Sequence, residues 1–428
     1  MSVKDTAPSS APHTGEVWGG SRLAPRVQVL APSPFIAMQR AAREVEDEGR
    51  DVHYLSIGEP DFETPERVKQ AGIDAITGNQ TRYTAIDGIP ALKAAIIDKL
   101  VRDNGFRYEL DEITVTPGGT QAIFNTMLAT VEPGDEVILQ TPFFPPYFPA
   151  IQVAGATPVL LETQQEHDFV PQPEDIARLI SPRTRWLVLN SPSNPSGAVI
   201  DRETLAEIAE VMRAHPQVLV LSDDMYESIL FDDAEFVNIL SVAPDLRDRS
   251  LILNGVSKAY AMTGWRIGYL AGPRDLIAGI TQVGGCSYFS ASSISQAAAT
   301  EAISGPQDST HVQRDSYQAR RDLIVDLLEN VPDLPTTRPR GAFFLLADCT
   351  AYFGSCTASG DVIGSDVDFA VALLRRFGVA TMPGSAFGSP GYIRITFAAS
   401  VDTLRAAGPL IGQFCRELAG TAQTGGHA

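Results

Sequence analysis

The chain has 428 residues, of which 44% are hydrophobic and 20% are charged, and its formal net charge at pH 7 is −19. This length exceeds the size at which a single hydrophobic core stops growing, so we expect two domains. The acidic charge argues against nucleic acid or an anionic membrane as the main partner, because either would repel the protein. The four cysteines show no C-x-x-C spacing, which indicates free thiols in a reducing, cytoplasmic compartment and no structural metal.

The N-terminal residues 1–25 are rich in Ser, Pro, Ala, Gly and Thr and contain no continuous apolar core. This composition predicts a mobile tail, or an arm that orders against a partner subunit, and not a secretory signal. No apolar stretch approaches the roughly 20 residues that span a bilayer. Residues 26–61 are predicted to form an N-terminal arm and part of a small domain. The residue pattern predicts a helix from Arg26 to Gly49 and a short strand that enters a turn from Tyr54 to Phe62. It predicts two further helices, one after Pro65 and one from Ile89 to Val101.

The middle of the chain alternates short apolar runs with amphipathic helical patterns. The runs are Ile113 to Thr116, Val137 to Leu139, Trp186 to Leu189, Val218 to Leu221 and Leu251 to Leu253. Strands that are apolar at consecutive positions are buried on both faces, as in a parallel sheet covered by helices. The pattern therefore predicts an α/β protein whose large domain, residues 62–305, has a mostly parallel sheet flanked by helices.

The pattern changes after Gly305. A long helix containing Tyr317 and Leu327 precedes a proline-rich break, and strands and helices then alternate up to a final helix from Thr403 to Leu418. We expect residues 306–420 to form a smaller α+β domain together with the strand near Tyr54, and residues 421–428 to form a tail. The stretch from Thr350 to Asp366, rich in Gly, Ser and Thr, is predicted to be a mobile surface loop.

Polar residues follow the predicted strands at the positions where an open α/β sheet binds its ligand. The turn that contains Gly119 opens a helix and suits a phosphate, although a plain tight turn would also explain two adjacent glycines. Asn194 lies in a stiff loop and either donates to a ligand or serves only the turn. Asp223 ends a buried strand and either meets a cation or caps a helix. Lys258 and Arg266 follow the last run. Lys258 is either a solvated surface charge on a turn or a desolvated amine that can act as a nucleophile.

A phosphate cradle, an arginine, an amine nucleophile, a buried carboxylate and an asparagine at one sheet edge describe a pocket for pyridoxal 5'-phosphate. With these residues, the chain resembles the fold-type I, class I pyridoxal-phosphate aminotransferases, particularly the bacterial aspartate aminotransferase-like branch. The resemblance extends from about Arg26 to Leu418. It rests on the segments Ile57 to Phe62, Tyr83-Thr84 with Gly88 to Pro90, Asn190 to Gly197, Ser222 to Glu227, Ser257 to Tyr269 and Tyr392 to Ile395.

The resemblance implies a role for each site residue. Lys258 would form the internal Schiff base, and Asp223 would pair with the protonated pyridine nitrogen. Tyr226 and Asn194 would hold the phenolic oxygen of the cofactor ring, and Phe144 would stack on the face of that ring. The cofactor phosphate would be bound by Arg266, by the backbone of Gly119 and Thr120, and by Tyr83 of the neighbouring subunit. Arg394 would bind the substrate α-carboxylate. Gly58 and Asn190 would lie along the substrate.

Three positions depart from the family pattern. Gly255 stands where many relatives have a phosphate-binding serine, so Ser257 or water would substitute, or the cradle is weaker. Phe144 stands where many relatives have tryptophan and offers a smaller stacking face. Thr120 stands where acidic-substrate members often have lysine, which weakens the expectation of aspartate as substrate.

The predicted function is amino transfer between an amino acid and a 2-oxo acid in two half-reactions, with Lys258 as covalent anchor and proton shuttle. Alternatives on the same fold and cofactor are an amino-acid lyase, or an oxidase or deaminase, which release ammonia. A cofactor-sensing transcription regulator would need a DNA-binding domain, which neither the short N-terminal tail nor the acidic charge supplies. A dehydrogenase would need a G-x-G-x-x-G turn at the start of a βαβ unit, which this sequence does not show. Because Tyr83 would cross an interface, we also predict a homodimer.

Overall fold

The protein was analysed as a computed structural model that describes residues 22–28, 30 and 34–422. The predicted N-terminal tail therefore lies outside the described residues up to residue 21, and the predicted C-terminal tail lies outside them from residue 423. The described helices are α1 (Pro25–Gln28), α2 (Pro34–Asp47), α3 (Glu66–Thr77), α4 (Pro90–Lys99), α5 (Gly119–Thr130), α6 (Tyr147–Ala154), α7 (Pro173–Leu179), α8 (Arg202–Ala214), α9 (Ile239–Val242), α10 (Arg274–Ser287), α11 (Ser293–Ser304), α12 (Asp308–Leu328), α13 (Asp366–Phe377) and α14 (Val401–Ala422).

The described strands form three sheets. They are β1 (His53–Tyr54), β2 (Ile113–Thr116), β3 (Glu136–Thr141), β4 (Thr157–Glu162), β5 (Thr184–Asn190), β6 (Leu219–Asp223), β7 (Ser250–Gly255), β8 (Gly268–Ala271), β9 (Phe344–Asp348), β10 (Val379–Ala380), β11 (Met382–Pro383) and β12 (Tyr392–Thr396). The largest sheet has the order β2-β8-β7-β6-β5-β3-β4. Its pairings are parallel except those of β8, which is antiparallel to both β2 and β7. The predicted α/β fold with a mostly parallel sheet is confirmed.

Alternate residues of the central strands enter two different cores. Leu187, Val220 and Ile252 belong to one hydrophobic cluster, whereas Val188 and Leu221 belong to another. Successive side chains of a strand point to opposite faces, so the two clusters cover the two faces of the sheet. This double burial explains why the strands are apolar at every position.

A third core surrounds the antiparallel sheet β11-β12-β9 and the short parallel pair β1-β10. His53 pairs with Val379, so the N-terminal strand joins the C-terminal segment. The segment predicted as a mobile surface loop, Thr350 to Asp366, carries two side chains into this core. Tyr352 is 2% exposed and Ile363 is 1% exposed, so the prediction of a surface loop is wrong at these side chains.

The registers of the parallel strands place the site. Asn190 at the end of β5 lies opposite Asp223 at the end of β6, and Asp223 lies opposite Leu253 in β7. The carboxyl ends of three neighbouring strands therefore meet at one edge of the sheet. Among the described residues, no helix has the length and apolar content needed to cross a membrane.

Candidate active site

A cavity of about 270 Å³ lies at the carboxyl edge of β5, β6 and β7. Its walls contain most of the residues to which the sequence assigned a role: Gly58, Gly119, Thr120, Phe144, Asn190, Asn194, Asp223, Tyr226, Ser257, Lys258 and Arg266. Arg394 lines an adjoining cavity that shares Gly58, Phe144, Asn194 and Lys258 with the first one. Tyr83 lines neither of these two cavities, and its side chain is 87% exposed.

Lys258 lies in the turn after β7 and is held by the backbone of the N-terminal segment. Its Nζ donates a hydrogen bond of 2.7 Å to the carbonyl oxygen of Gly58. Burial lowers the pKa of the Lys258 amine to about 8, the charge of Arg394 acts in the same direction, and Glu59 opposes both. Desolvation disfavours the charged form of an amine, so the free amine is present at a lower pH than in an exposed lysine.

Asp223 is the last residue of β6 and is 4% exposed. Its carboxylate accepts a hydrogen bond of 2.7 Å from the Tyr147 hydroxyl and one of 3.2 Å from the Met225 backbone N–H. Burial raises the pKa of the Asp223 carboxyl to about 6, and the two hydrogen bonds partly oppose that rise. The carboxylate is therefore charged at neutral pH and suited to pair with a buried cation.

The Gly-Gly turn presents the N-terminus of α5 to the cavity. Gly118 precedes the helix with φ of 87°, a left-handed conformation that glycine adopts without strain. A Cβ atom at Gly118 would overlap the guanidinium of Arg266. That guanidinium donates a hydrogen bond of 2.9 Å to the Thr263 carbonyl. The free N–H groups of a helix start beside an arginine make an anion site.

Arg394 lies in β12, and its guanidinium lies near two aromatic rings. The Cζ atom is 4.4 Å from the ring centroid of Phe344 and 4.5 Å from that of Phe387. One terminal nitrogen donates to the Asn194 side-chain oxygen at 3.1 Å, the other donates to the Ser56 carbonyl at 2.6 Å, and Nε has no hydrogen-bond partner among the described residues. Burial lowers the pKa of Arg394 to about 10, so it remains a cation at neutral pH.

Two asparagines and a tyrosine complete the polar wall. Asn190 donates to the Asp223 carbonyl at 3.2 Å and accepts from the Asn194 backbone N–H at 2.8 Å, which connects the loop after β5 to β6. Tyr226 is buried with its ring edge-on to Phe343 at 5.4 Å. Burial raises the pKa of the Tyr226 hydroxyl well above its usual value, so it remains protonated and able to donate a hydrogen bond.

Three polar residues at the site received no role from the sequence. Tyr147 touches Asp223, while Glu59 and Thr263 line the cavity and are hydrogen-bonded to each other. Tyr147 lies in the segment Pro142 to Tyr147, whose aromatic and proline content was the available signal. Glu59 lies in the segment Ile57 to Phe62, which was a signal only through the family resemblance. Thr263 lies within the segment Ser257 to Tyr269 and carried no separate signal.

The local backbone packing explains why position 255 is glycine and not serine. It pairs with Gly268 of β8, and a Cβ atom at Gly255 would lie 2.8 Å from the Ile267 carbonyl oxygen and 3.1 Å from the Gly268 Cα. A serine therefore does not fit this backbone. Gly255 does not line the cavity of Lys258, whereas Ser257 does.

A mostly parallel sheet with a buried amine, a buried carboxylate and an anion-binding helix start at one edge defines a fold-type I pyridoxal-phosphate enzyme. Residues 50–407 match the family Aminotransferase class I and II, and the chain belongs to that family. Its members depend on pyridoxal phosphate. The prediction of an aminotransferase is confirmed, and the lyase and the oxidase or deaminase are not favoured.

Proteins of known name and structure resemble nearly the whole chain. The aspartate/prephenate aminotransferase of Cereibacter sphaeroides is 45% identical over 389 residues, which cover 91% of this chain and 97% of that protein. The crystal structure of the aspartate aminotransferase from Rhizobium meliloti superposes with a TM-score of 0.90 at 44% identity, covering 93% of this chain and all (100%) of that one. The Thermus thermophilus aspartate aminotransferase with maleate has a TM-score of 0.85 at 37% identity, covering 92% of this chain and 100% of that one.

Proposed function

We propose that Lys258, Asp223, Arg266 and Arg394 carry out amino transfer between an α-amino acid and a 2-oxo acid at this site. The observation that supports the proposal best is the common anchoring of two cations. Lys258 donates to the carbonyl of Gly58 at 2.7 Å, and Arg394 donates to the carbonyl of Ser56 at 2.6 Å. The two carbonyls that hold these side chains are two residues apart in the chain. This arrangement suits an α-amino acid, which carries its amino group and its carboxylate on the same carbon.

The residues present fit pyridoxal phosphate. The turn at Gly118, which leaves no room for a Cβ atom beside Arg266, and the start of α5 suit a phosphate group, with Gly119, Thr120 and Ser257 beside them. A buried carboxylate at Asp223 suits a protonated pyridine nitrogen. We propose that Phe144 stacks on the ring and that Tyr226 and Asn194 hold its phenolic oxygen. When bound, the cofactor supplies an electron sink for charge that develops at the substrate Cα.

The chain's own groups divide the work of positioning and proton transfer. Lys258 would anchor the cofactor and would carry the proton that leaves the substrate Cα, a task for which a pKa of about 8 is suited. Arg394 binds the α-carboxylate with two parallel N–H groups, which a lysine cannot reproduce. Gly58 and Asn190 lie along the substrate. The buried walls exclude water and strengthen each of these charge contacts.

We propose further that the enzyme is a cytoplasmic homodimer. Tyr83 is exposed, and its ring lies edge-on to that of Phe289 with 5.2 Å between centroids. In the proposed dimer, Tyr83 would reach the phosphate of the neighbouring site. We also propose that residues 62–305 form the cofactor-binding domain and that residues 306–420, joined by residues 26–61, form the small domain that carries Arg394.

The proposal is tested by the two half-reactions, followed separately through the cofactor's absorbance. Amino acids should convert the pyridoxal form into the pyridoxamine form, and 2-oxo acids should restore it without release of ammonia. Lys258→Ala should nearly abolish turnover and leave the cofactor bound noncovalently. Lys69→Ala, which removes a surface lysine paired with Glu63 and Glu66, is the matched control. Transamination by Lys258→Ala at the rate of the control would refute the assignment.

A further inference from the structure

A second, larger cavity continues outward from the one that holds Lys258. Its volume is about 920 Å³, and Arg394 lies where it meets the first cavity. Most of its remaining wall is aromatic or aliphatic: Leu30, Pro34, Phe35, Phe143, Pro145, Pro146, Phe148, Pro149, Leu160, Ala386 and Phe387. A substrate whose α-carboxylate is bound by Arg394 has this cavity available for its side chain.

The aromatic wall begins directly beside Arg394. Phe387, whose ring centroid is 4.5 Å from the Arg394 Cζ, is edge-on to Phe35 at 6.4 Å. In the wall of the same cavity, Phe143 donates its backbone N–H to the Phe387 carbonyl at 2.9 Å and stacks on Phe148 with 5.7 Å between ring centroids. A side chain that extends away from the carboxylate therefore meets ring faces and edges, which favour apolar groups and above all another ring.

The charges in the two cavities are already engaged. Among the described residues that line them, the cations are Lys258, Arg266 and Arg394. In the proposed function these bind, in turn, the cofactor aldehyde, the cofactor phosphate and the substrate α-carboxylate. Thr120, in the Gly-Gly turn, is neutral, and Glu59 is an anion. A second substrate carboxylate would therefore lose its water without gaining a cation from the described lining residues, which is costly.

We propose, on the basis of the function given above, that the larger cavity binds the side chain of the amino-acid substrate and that this side chain is large and apolar, with an aromatic ring as the best fit. The enzyme thus prefers arylalkyl amino acids to acidic ones. The preference arises from the wall formed by Phe35, Phe143, Phe148 and Phe387 and from the lack of a fourth cation among the described lining residues.

The direct test compares two unreactive probes that lack an amino group. Each probe has one carboxylate for Arg394, and they differ in the group at the other end, which is a phenyl ring in one and a second carboxylate in the other. The binding of 3-phenylpropanoate and of succinate to the holoenzyme is measured by isothermal titration calorimetry. We expect 3-phenylpropanoate to bind at least about tenfold more tightly, because apolar area is buried for one probe and a carboxylate is left unpaired for the other. Equal or tighter binding of succinate would overturn the proposal, whether the missing charge came from a partner subunit or from elsewhere.

A variant tests whether the aromatic wall is responsible. Phe35→Ala should weaken 3-phenylpropanoate binding about tenfold, raise KM for phenylalanine more than it lowers kcat, and leave succinate binding unchanged. Phe35→Leu should restore most of the lost affinity. Phe353→Ala, at an exposed phenylalanine outside both cavities, is the matched control. Equal weakening of both probes by Phe35→Ala, or an effect no larger than that of Phe353→Ala, would contradict the proposal.

A substrate screen separates this inference from the function on which it rests. Faster conversion of the cofactor by phenylalanine or tyrosine than by aspartate supports the inference. Faster conversion by aspartate or glutamate overturns it and leaves the aminotransferase assignment intact. Conversion by no amino acid would refute the proposed function itself.

Discussion

The hydrogen bond from Tyr147 to Asp223 makes a quantitative prediction about the buried carboxylate. Tyr147 is fully buried in α6, and its hydroxyl lies 2.7 Å from the Asp223 carboxylate oxygen. Tyr147→Phe removes only this hydroxyl and keeps the ring. The change should raise the pKa of Asp223, because the hydrogen bond favours the charged carboxylate.

The size of the shift follows from the strength of the bond. A hydrogen bond to a charged group contributes about 1.5–3 kcal/mol, and one pKa unit corresponds to about 1.4 kcal/mol. The variant should therefore raise the pKa of Asp223 by about one to two units from its value of about 6. Near neutral pH, a substantial fraction of the carboxyl groups would then be protonated in the cofactor-free protein.

The assay is urea unfolding of the cofactor-free protein across pH. The folded-state pKa of Asp223 lies above its unfolded value, so the folded state binds more protons between the two and the free energy of unfolding falls as the pH rises through that window. In Tyr147→Phe the fall should continue to higher pH. The stability difference from the wild type should thus grow from pH 5 to pH 8.5 by about 1.5–3 kcal/mol.

The matched control is Tyr108→Phe. Tyr108 is also buried, but its hydroxyl has no hydrogen-bond partner among the described residues, so any stability difference it causes should not depend on pH over this range. A pH-independent difference in Tyr147→Phe, equal to that of the control, would refute the proposed action of Tyr147 on Asp223.

Three further predictions concern the other groups of the site. Arg394→Lys should lower kcat/KM about 10- to 100-fold in steady-state assays, because one of two charged hydrogen bonds is lost; an unchanged value would remove Arg394 from the carboxylate site. Gly118→Ala should weaken cofactor binding in equilibrium dialysis, since it strains a positive φ and displaces Arg266; wild-type affinity would contradict the cradle. In the cofactor-free protein, acylation of Lys258 should increase with pH and level off just above its pKa of about 8, whereas Lys69, whose pKa is raised by Glu66 and Glu63, should level off much later; identical profiles would contradict the desolvation of Lys258.

Much of the fold could be predicted because the central strands are apolar on both faces. Each of the five apolar runs lies in or overlaps a strand of the large sheet. The strand β4 was missed because it lies at the sheet edge and most of its side chains are exposed or half-buried. The strand β8 was missed because it begins with glycine and ends with alanine, two residues of low β-propensity, so that only Tyr269 and Leu270 carry a strand signal. The segment predicted as one helix from Arg26 to Gly49 contains two described helices, α1, which ends at Gln28, and α2, which begins at Pro34. Leu30, which is described between them, is not helical.

The positions of the site residues were partly predictable, for a physical reason. Parallel strands end at a common sheet edge, so Asn194, Asp223 and Lys258 could be placed together from the order of the runs. Contacts that depend on the packing of distant elements could not be placed in this way. Tyr147 reaches Asp223 across 76 positions, and Arg394 reaches Asn194 across 200. No periodicity within a short window encodes such pairs.

The most direct test of the account is chemical trapping of the cofactor on the holoenzyme. Borohydride reduction fixes the cofactor to the amine that holds it, and peptide mapping by mass spectrometry then identifies that amine. The account predicts that the cofactor mass is found on the peptide containing Lys258. Attachment at another lysine, such as the buried Lys99, or no covalent attachment at all, would contradict it.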